Sequence, residues 1–246
     1  MPPVVEDPAL DWDLGSPRRA RSAAVIIIAV AITVVAVVLI VGTWRVVDAT
    51  SAPTPTPTPT AIALAQPLAY EGDAGYPIGF PHTELGAASA AAAALEAAWT
   101  LDGAQAEQAA VLYAPPEQRK AASDGARAAV SGWRATLGLP KDGKLPEGAS
   151  LRTQTIGVQW RARAQDQVQV SILVQVTATT GGDGDGPTYS SPYAMTLLMA
   201  WYPGVRGDNQ GDWVNIPDPT PPAVPQTTLP GTPEFAAAGW KPLKTP

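Results

Sequence analysis

The chain has 246 residues, of which 46% are hydrophobic and only 15% are charged, with 27 Pro and no Cys. The absence of Cys excludes a disulfide scaffold, a thiol nucleophile and any Cys-ligated metal site. The formal net charge of −6 argues against nucleic acid as a partner, because phosphate binding requires a basic surface.

A run without any charged residue extends from residue 22 to residue 44. As a helix it would be roughly 34 Å long, enough for a hydrocarbon core of about 30 Å, so it predicts a transmembrane helix. A cleaved signal peptide is the alternative, but its apolar region is normally about 7–15 residues long. Arg18, Arg19 and Arg21 precede the run, and only Arg45 follows it closely. This bias predicts a single-pass protein of the cell membrane with a cytoplasmic N-terminus and an extracytoplasmic C-terminal domain.

Proline-rich segments flank the predicted domain. Residues 1–21 are rich in Pro and acidic residues and predict a disordered cytoplasmic tail. Residues 45–74 predict a linker, because Pro and Thr alternate from Pro53 to Thr60 and favour an extended polyproline spacer. Nine of the last thirty residues are Pro, so residues 217–246 predict a second disordered tail. Within it, Phe235 and Trp240 are expected to dock onto the domain or onto a partner.

Helical periodicity comes first within residues 75–216. Thr83 predicts an N-cap for a helix that extends to about Leu101, with Glu84 in its first turn. A second helix is predicted from Ala104 to Tyr113, and a third follows the Pro pair and ends before Gly138.

After the predicted helices, apolar residues recur at every second position, which is typical of β-strands. Strands are predicted over residues 151–164, 168–177, 193–202 and 211–216. The domain is therefore predicted to be α+β, with three helices packed on a curved four-stranded antiparallel sheet. Four aromatic residues are expected to dominate its core: Trp99, Trp133, Trp160 and Trp201.

This order of elements resembles the cone-shaped domains of the SnoaL-like and cystatin-like families. With a membrane helix in front, it is similar to the TcpC-like assembly components of conjugation and type IV secretion systems, and to membrane proteins associated with mammalian cell entry in actinobacteria. The detailed likeness rests on two segments, Gly75–Ala88 and Gly211–Val214, which resemble uncharacterised actinobacterial proteins linked to conjugative elements. The resemblance implies a bitopic protein that acts in assembly.

His82, the single histidine, lies in the turn before the first predicted helix and is the first candidate for a general base or a metal ligand. A general base needs an orienting partner, and a zinc site needs about four ligands. The only partners would be Glu84 or a distant carboxylate, since no Asp or Glu lies on the apolar strand faces. Asp102 and Glu107 lie near helix termini, where they complement the helix dipole. No catalytic, cofactor-binding or metal residue and no cofactor is therefore predicted.

Three other groups have two interpretations each. The Gly182–Gly186 run carries two Asp but lacks the further ligands of a calcium loop, so a hairpin connection is preferred. Arg residues on the first long strand form a solvated face or meet an acidic partner. Tyr residues of the later strands line a ligand cup or belong to the core. The Arg group consists of Arg152, Arg161 and Arg163. The Tyr group consists of Tyr189, Tyr193 and Tyr202.

These observations predict a non-enzymatic, membrane-anchored extracytoplasmic assembly or scaffold protein of a conjugation or secretion complex. Its expected partners are the lipid bilayer, through residues 22–44, and other membrane-complex subunits, with homo-oligomers left open. The alternative is an extracytoplasmic module of the cell envelope that binds a lipid or a small ligand. That alternative requires a cavity among Trp160, Met195, Leu197 and Trp201, whereas a scaffold is expected to have a filled core.

Overall fold

The computed structural model describes residues 60–182, 188–207 and 209–244. The predicted cytoplasmic tail, the predicted membrane segment at 22–44 and linker residues 45–59 lie outside the described residues. Within the described ranges, no helix has both the length and the apolar character needed to span a bilayer.

Four α-helices and one short 3₁₀ turn are present in these ranges. The first three α-helices confirm the positions predicted from periodicity to within a few residues. Thr83 caps the first of them, since its Oγ1 accepts the N–H of Gly86 at 3.0 Å. Asp102 caps the second in the same way. The elements are α1 (Glu84–Ala98), α2 (Gly103–Leu112), the 3₁₀ turn (Pro116–Gln118), α3 (Arg119–Thr136) and α4 (Pro233–Ala237).

The strands form a five-stranded antiparallel sheet and a separate two-stranded hairpin. In the sheet the order is β6-β5-β4-β3-β7, and the hairpin pairs β1 with β2. The strands are β1 (Ala69–Glu71), β2 (Tyr76–Ile78), β3 (Ala149–Ala164), β4 (Gln167–Thr180), β5 (Tyr189–Tyr202), β6 (Asp212–Ile216) and β7 (Lys241–Pro242).

The predicted three-helix, four-stranded cone is therefore wrong. The sheet has a fifth strand, β7, which pairs with Gly157 and Val158 of β3. More than 80 positions of the chain separate the paired residues. The hairpin and α4 were also not predicted. A two-residue strand that contains Pro242 carries no alternation of its own. Only its partner in space makes it a strand.

One face of the sheet packs against α1. The alternating apolar residues of β4 all lie on this face and are buried, as their period of two predicts. They meet the Ala-rich side of α1, where small side chains permit close approach of helix and sheet. The central residues of this core are Val168, Val170, Ile172, Val174 and Val176 with Ala87, Ala88, Ala90 and Ala91.

The C-terminal segment covers the other face. Phe235 and Trp240 are each 1% exposed and pack on Leu173, which lies on the otherwise polar face of β4. Trp240 Nε1 donates to the carbonyl of Gln226 at 2.8 Å, so the covering segment is also joined to itself. The segment predicted as a disordered tail thus forms α4 and β7, and its two aromatic residues dock onto the domain.

The expected tryptophan core differs from the observed one. Trp99, Trp133, Trp160 and Trp201 are only partly buried around the main core. Among the tryptophans that the structure describes, the buried ones are Trp213, at 2% exposure, and Trp240. Periodicity correctly placed the four predicted tryptophans on apolar faces. It does not show how far along a long strand or helix the neighbouring elements cover that face.

The domain also begins earlier than residue 75. Ile62 forms a parallel bridge with Leu243, and Lys244 donates its N–H to the Ile62 carbonyl at 2.7 Å. Ala65 N–H then donates to Ser89 Oγ of α1 at 2.8 Å. Residues 62–74, predicted as linker, are therefore part of the domain, and its entry and exit lie side by side.

Candidate functional site: the motif junction and its hairpin

The two segments singled out in the sequence meet in space. Asp212, the first residue of β6, is completely buried and accepts the N–H groups of Gly79 and Phe80 at 2.8 and 3.1 Å. Trp213 Nε1 donates to the carbonyl of Pro81 at 2.9 Å. This motif junction connects the hairpin, the start of α1 and the edge strand β6.

A buried ion pair completes the motif junction. Arg206 Nε lies 2.8 Å from Asp212 Oδ2, and the two side chains are 5% and 0% exposed. Arg206 Nη1 also donates to the Leu112 carbonyl at the end of α2. Asp212 lies in the last predicted strand but was not among the candidate residues, and the structure shows that it is a buried carboxylate. From its near neighbours in the sequence alone, an acidic residue such as Asp212 is expected to be exposed. Its burial is explained by the ion pair with Arg206 and by the hydrogen bonds from the turn amides.

Two glycines permit the close contacts of the motif junction. A Cβ on Gly86 would lie 1.9 Å from the Pro81 carbonyl oxygen, and one on Gly211 would lie 2.4 Å from the Trp201 ring. A side chain at Gly86 would require the Pro81 backbone to move, and one at Gly211 would require the Trp201 ring to move. Gly86 and Gly211, one from each sequence segment, therefore have a packing role.

Gly86→Ala is expected to lower the free energy of unfolding by about 1–3 kcal/mol or more, because the new methyl group collides with backbone. Gly125→Ala is the matched control, since Gly125 also lies in a helix and its Cβ would meet nothing within 4 Å. This control should stabilise by up to about 1 kcal/mol through helix propensity. Urea unfolding of both variants measures the difference. Equal effects would contradict the proposed contact with Pro81.

His82 follows the motif junction directly. Its Nε2 lies 2.8 Å from Asp166 Oδ1 in the β3–β4 turn, and its ring stacks on Trp201 at a centroid distance of 4.1 Å. The partner is thus a distant carboxylate, whereas Glu84 accepts a hydrogen bond from Trp160 Nε1 at 3.1 Å. Both His82 and Asp166 are about half exposed. Among the described residues, no group of three His, Asp or Glu is placed to hold a metal.

The β1–β2 hairpin projects an apolar surface next to His82. Leu68 and Tyr70 are 74% and 67% exposed, the largest values among the described large hydrophobic residues. A groove of about 620 Å³ on one side is lined by Leu68, Phe80, His82 and Trp201. A second groove of about 410 Å³ has Tyr70 in its lining. We call Leu68, Tyr70 and these two grooves the hairpin surface.

Buried tyrosines hold the hairpin against α2. Tyr76 Oη donates to the Gln105 carbonyl at 2.9 Å, and Tyr113 Oη donates to the Pro77 carbonyl at 2.7 Å. Burial raises the pKa of Tyr113 far above its ordinary value. Burial, and then the charge of Asp102, raise the pKa of Tyr76. The two hydrogen bonds, donated by largely buried phenols, hold the hairpin on the domain.

The three arginines of the predicted group do not all lie together. Arg161 Nη2 and Arg163 Nη1 both donate to Gln169 Oε1, at 3.0 and 2.8 Å, and Arg163 also lies 3.5 Å from Asp218. The acid that Arg163 meets thus belongs to the same chain. Arg152 lies apart from them and is exposed.

Of the two interpretations of the tyrosines, a ligand cup or part of the core, the described residues do not form the cup. Tyr189 and Tyr193 pack edge-to-face against Trp133. Burial, and then the hydrogen bond to Tyr189, raise the pKa of Tyr193 to about 12. Tyr202 lies elsewhere and donates to Glu117 at 2.8 Å. These contacts fill space among the aromatic rings, so the three tyrosines do not line one binding site.

The remaining sequence candidates have structural partners or lie outside the described residues. Asp102 is the N-cap of α2, and Glu107 accepts from Ser123 and lies 3.3 Å from Arg127 Nε. Residues 183–187, which include both Asp of the glycine-rich run, lie outside the described residues.

No protein-family model, no curated protein and no solved structure matches this chain. The resemblance to conjugation and secretion assembly proteins therefore stays a prediction.

Proposed function

We propose that the protein is a non-enzymatic, single-pass membrane protein whose extracytoplasmic domain assembles subunits of a conjugation or secretion complex. The observation that carries the proposal is the hairpin surface, where Leu68 and Tyr70 project from a firmly held hairpin. Exposed apolar side chains between grooves are typical of protein docking sites. The uncharged run at 22–44 would hold the domain at the membrane.

The charge around the hairpin surface indicates the kind of subunit that would dock there. Glu71 and Asp73 follow Tyr70 directly and belong to the exposed end of the hairpin. Acidic residues beside an apolar centre favour a partner that surrounds an apolar pocket with Lys or Arg, because complementary rims direct association.

The packing of the core supports a scaffold more than a ligand-binding cup. Trp160, Met195, Leu197 and Trp201 would line the cavity of a lipid-binding module, yet all four pack against the buried cluster beneath α1. The alternative function keeps one supporting observation, the groove of about 620 Å³ beside His82. An apolar ligand would have to bind there, outside the core.

The composition of the same groove supports a non-enzymatic role. Its lining includes His82 but no Ser, Thr or Lys to act as a nucleophile. The face of the His82 ring is covered by Trp201. The pair of His82 with Asp166 is better placed to join the α1 entry to the β3–β4 turn.

Site-specific crosslinking tests the proposal. A photo-reactive amino acid at position 68, in the full chain in native membranes, is expected to capture membrane-complex subunits such as a secretion ATPase or its neighbours. Position 229 is the matched control, because Leu229 is also apolar and 52% exposed but lies on the C-terminal segment. Leu68→Glu should reduce the yield of copurified subunits, and Leu229→Glu should not. Equal capture from both positions, or recovery of lipid instead of protein, would refute the assembly role.

A further inference from the structure

The chain enters the domain through residues 62–68, which lead from the bridge with Leu243 to the β1–β2 hairpin. We call these residues the entry segment. Hydrogen bonds from its backbone hold the segment at its start, in its middle and at its end. The pairs are Ile62 with Pro242 and Lys244, Ala65 with Ser89, and Leu68 with Ile78.

The entry segment forms part of the lining of both grooves of the hairpin surface. Leu64 and Ala65 line the groove of about 410 Å³. Gln66 and Leu68 line the groove of about 620 Å³. Pro67 contributes to both linings. The position of this one segment therefore sets the shape of both grooves.

The start of the entry segment is fastened by residues in and directly after β7. Lys244 N–H donates to the Ile62 carbonyl at 2.7 Å, and Ile62 N–H donates to the Pro242 carbonyl at 2.9 Å. The side chains of Ile62 and Leu243 both pack against the main core. Because β7 is itself paired with β3, these bonds join the entry segment to the sheet.

We propose that the backbone of Leu243 and Lys244 positions the hairpin surface, through the bridge to Ile62 and the entry segment. The bridge holds the start of the segment, and the segment carries that position to the lining of both grooves. A docking surface that already has its bound shape loses less conformational freedom on association, so it binds more tightly. The effect on subunit docking rests on the proposed function, whereas the positioning is a property of the domain alone.

A matched pair of variants at position 244 isolates one hydrogen bond of the bridge. Lys244→Pro removes the N–H that donates to Ile62, whereas Lys244→Ala keeps it. Both variants lose the same exposed ammonium group, and Pro favours an extended residue before it, as the bridge requires of Leu243. We expect Lys244→Pro to speed amide hydrogen exchange at Ala65 and Leu68 about fivefold. Lys244→Ala should leave these rates unchanged, because the contact is made by the backbone.

A disulfide across the bridge provides the reverse test. Ile62→Cys and Leu243→Cys, added to Lys244→Pro, can form only one disulfide within the chain, because the protein has no Cys of its own. Directly paired residues of neighbouring strands lie within the Cα separation that a disulfide spans. Oxidation is expected to slow exchange at Ala65 and Leu68 to the wild-type rate. The same protein in its reduced form is the control.

The measurement is hydrogen exchange of the full chain in detergent, followed by mass spectrometry with fragmentation to single residues. Faster exchange at Ala65 and Leu68 but not in β4, reversed by oxidation, is the expected result for Lys244→Pro. An equal acceleration in β4 would mean a general loss of stability and would overturn the proposal. So would an acceleration that is confined to Ile62.

Photo-crosslinking from position 68 then measures the effect on docking. The yield of captured subunits should fall in Lys244→Pro and stay at the wild-type level in Lys244→Ala, because fewer chains have the entry segment in place. An unchanged yield despite faster exchange would overturn the link to docking. If the wild-type chain captures no subunit, the proposed function fails, and the exchange rates still decide whether the bridge positions the hairpin surface.

Discussion

Replacing Asp212 with Asn is expected to lower the free energy of unfolding by about 3–5 kcal/mol, the usual cost of removing one member of a buried ion pair. Arg206 would keep its charge at 5% exposure without a counter-ion. The Asn oxygen replaces only one of the two acceptor atoms that now bind Gly79, Phe80 and Trp213. Chemical unfolding followed by Trp fluorescence measures the change.

Two controls separate charge from packing in this experiment. Asp124→Asn removes an exposed carboxylate that pairs with Lys120, and it should leave the free energy of unfolding nearly unchanged. The double variant Asp212→Asn with Arg206→Met removes both buried charges and should be more stable than Asp212→Asn alone. If the double variant is less stable than the single one, the unpaired charge is not the cause.

Trp240→Ala is expected to cost about 3–5 kcal/mol, because it removes a buried indole and leaves a cavity above Leu173. The change would also remove the hydrogen bond from Trp240 Nε1 to the Gln226 carbonyl. Leu229→Ala is the matched control on the same segment, where the side chain is 52% exposed. It should change the stability by less than about 0.5 kcal/mol.

Deletion of residues 217–246 extends this prediction to the whole cover. The deletion exposes Leu173 and opens the β3 edge at Gly157 and Val158, so the shortened chain should aggregate or bind hydrophobic dyes. A disordered tail could be removed without such an effect. Wild-type stability after deletion would therefore contradict the packing of Phe235 and Trp240 on the sheet.

Residues whose structure depends on near neighbours were predictable. The N-cap at Thr83, the alternation along β4 and the ends of α2 and α3 all follow from short-range patterns, and the structure confirms them. A helix or strand signal repeats within a few residues, so it can be read without knowing the partner.

The candidate site was predictable only in its parts. The segments that contain Gly79 and Asp212 were singled out separately, but nothing in either indicates that the carboxylate binds the amides of the other. An acidic residue suggests exposure until Arg206 is known to lie beside it. Likewise, His82 and Asp166 are 84 positions apart and meet only because the β3–β4 turn reaches the start of α1.

The sequence by itself determined the succession from α1 to α3 and from β3 to β6, the apolar faces of these elements and the uncharged run at 22–44. The tertiary structure decided that β7 joins the sheet, that Phe235 and Trp240 cover its second face, and that Asp212 is buried. The physical reason is that these features depend on contacts between distant parts of the chain. Pro-rich composition lowers the tendency of residues 217–244 to form regular elements, but an apolar patch around Leu173 provides a surface on which two aromatic side chains bury themselves.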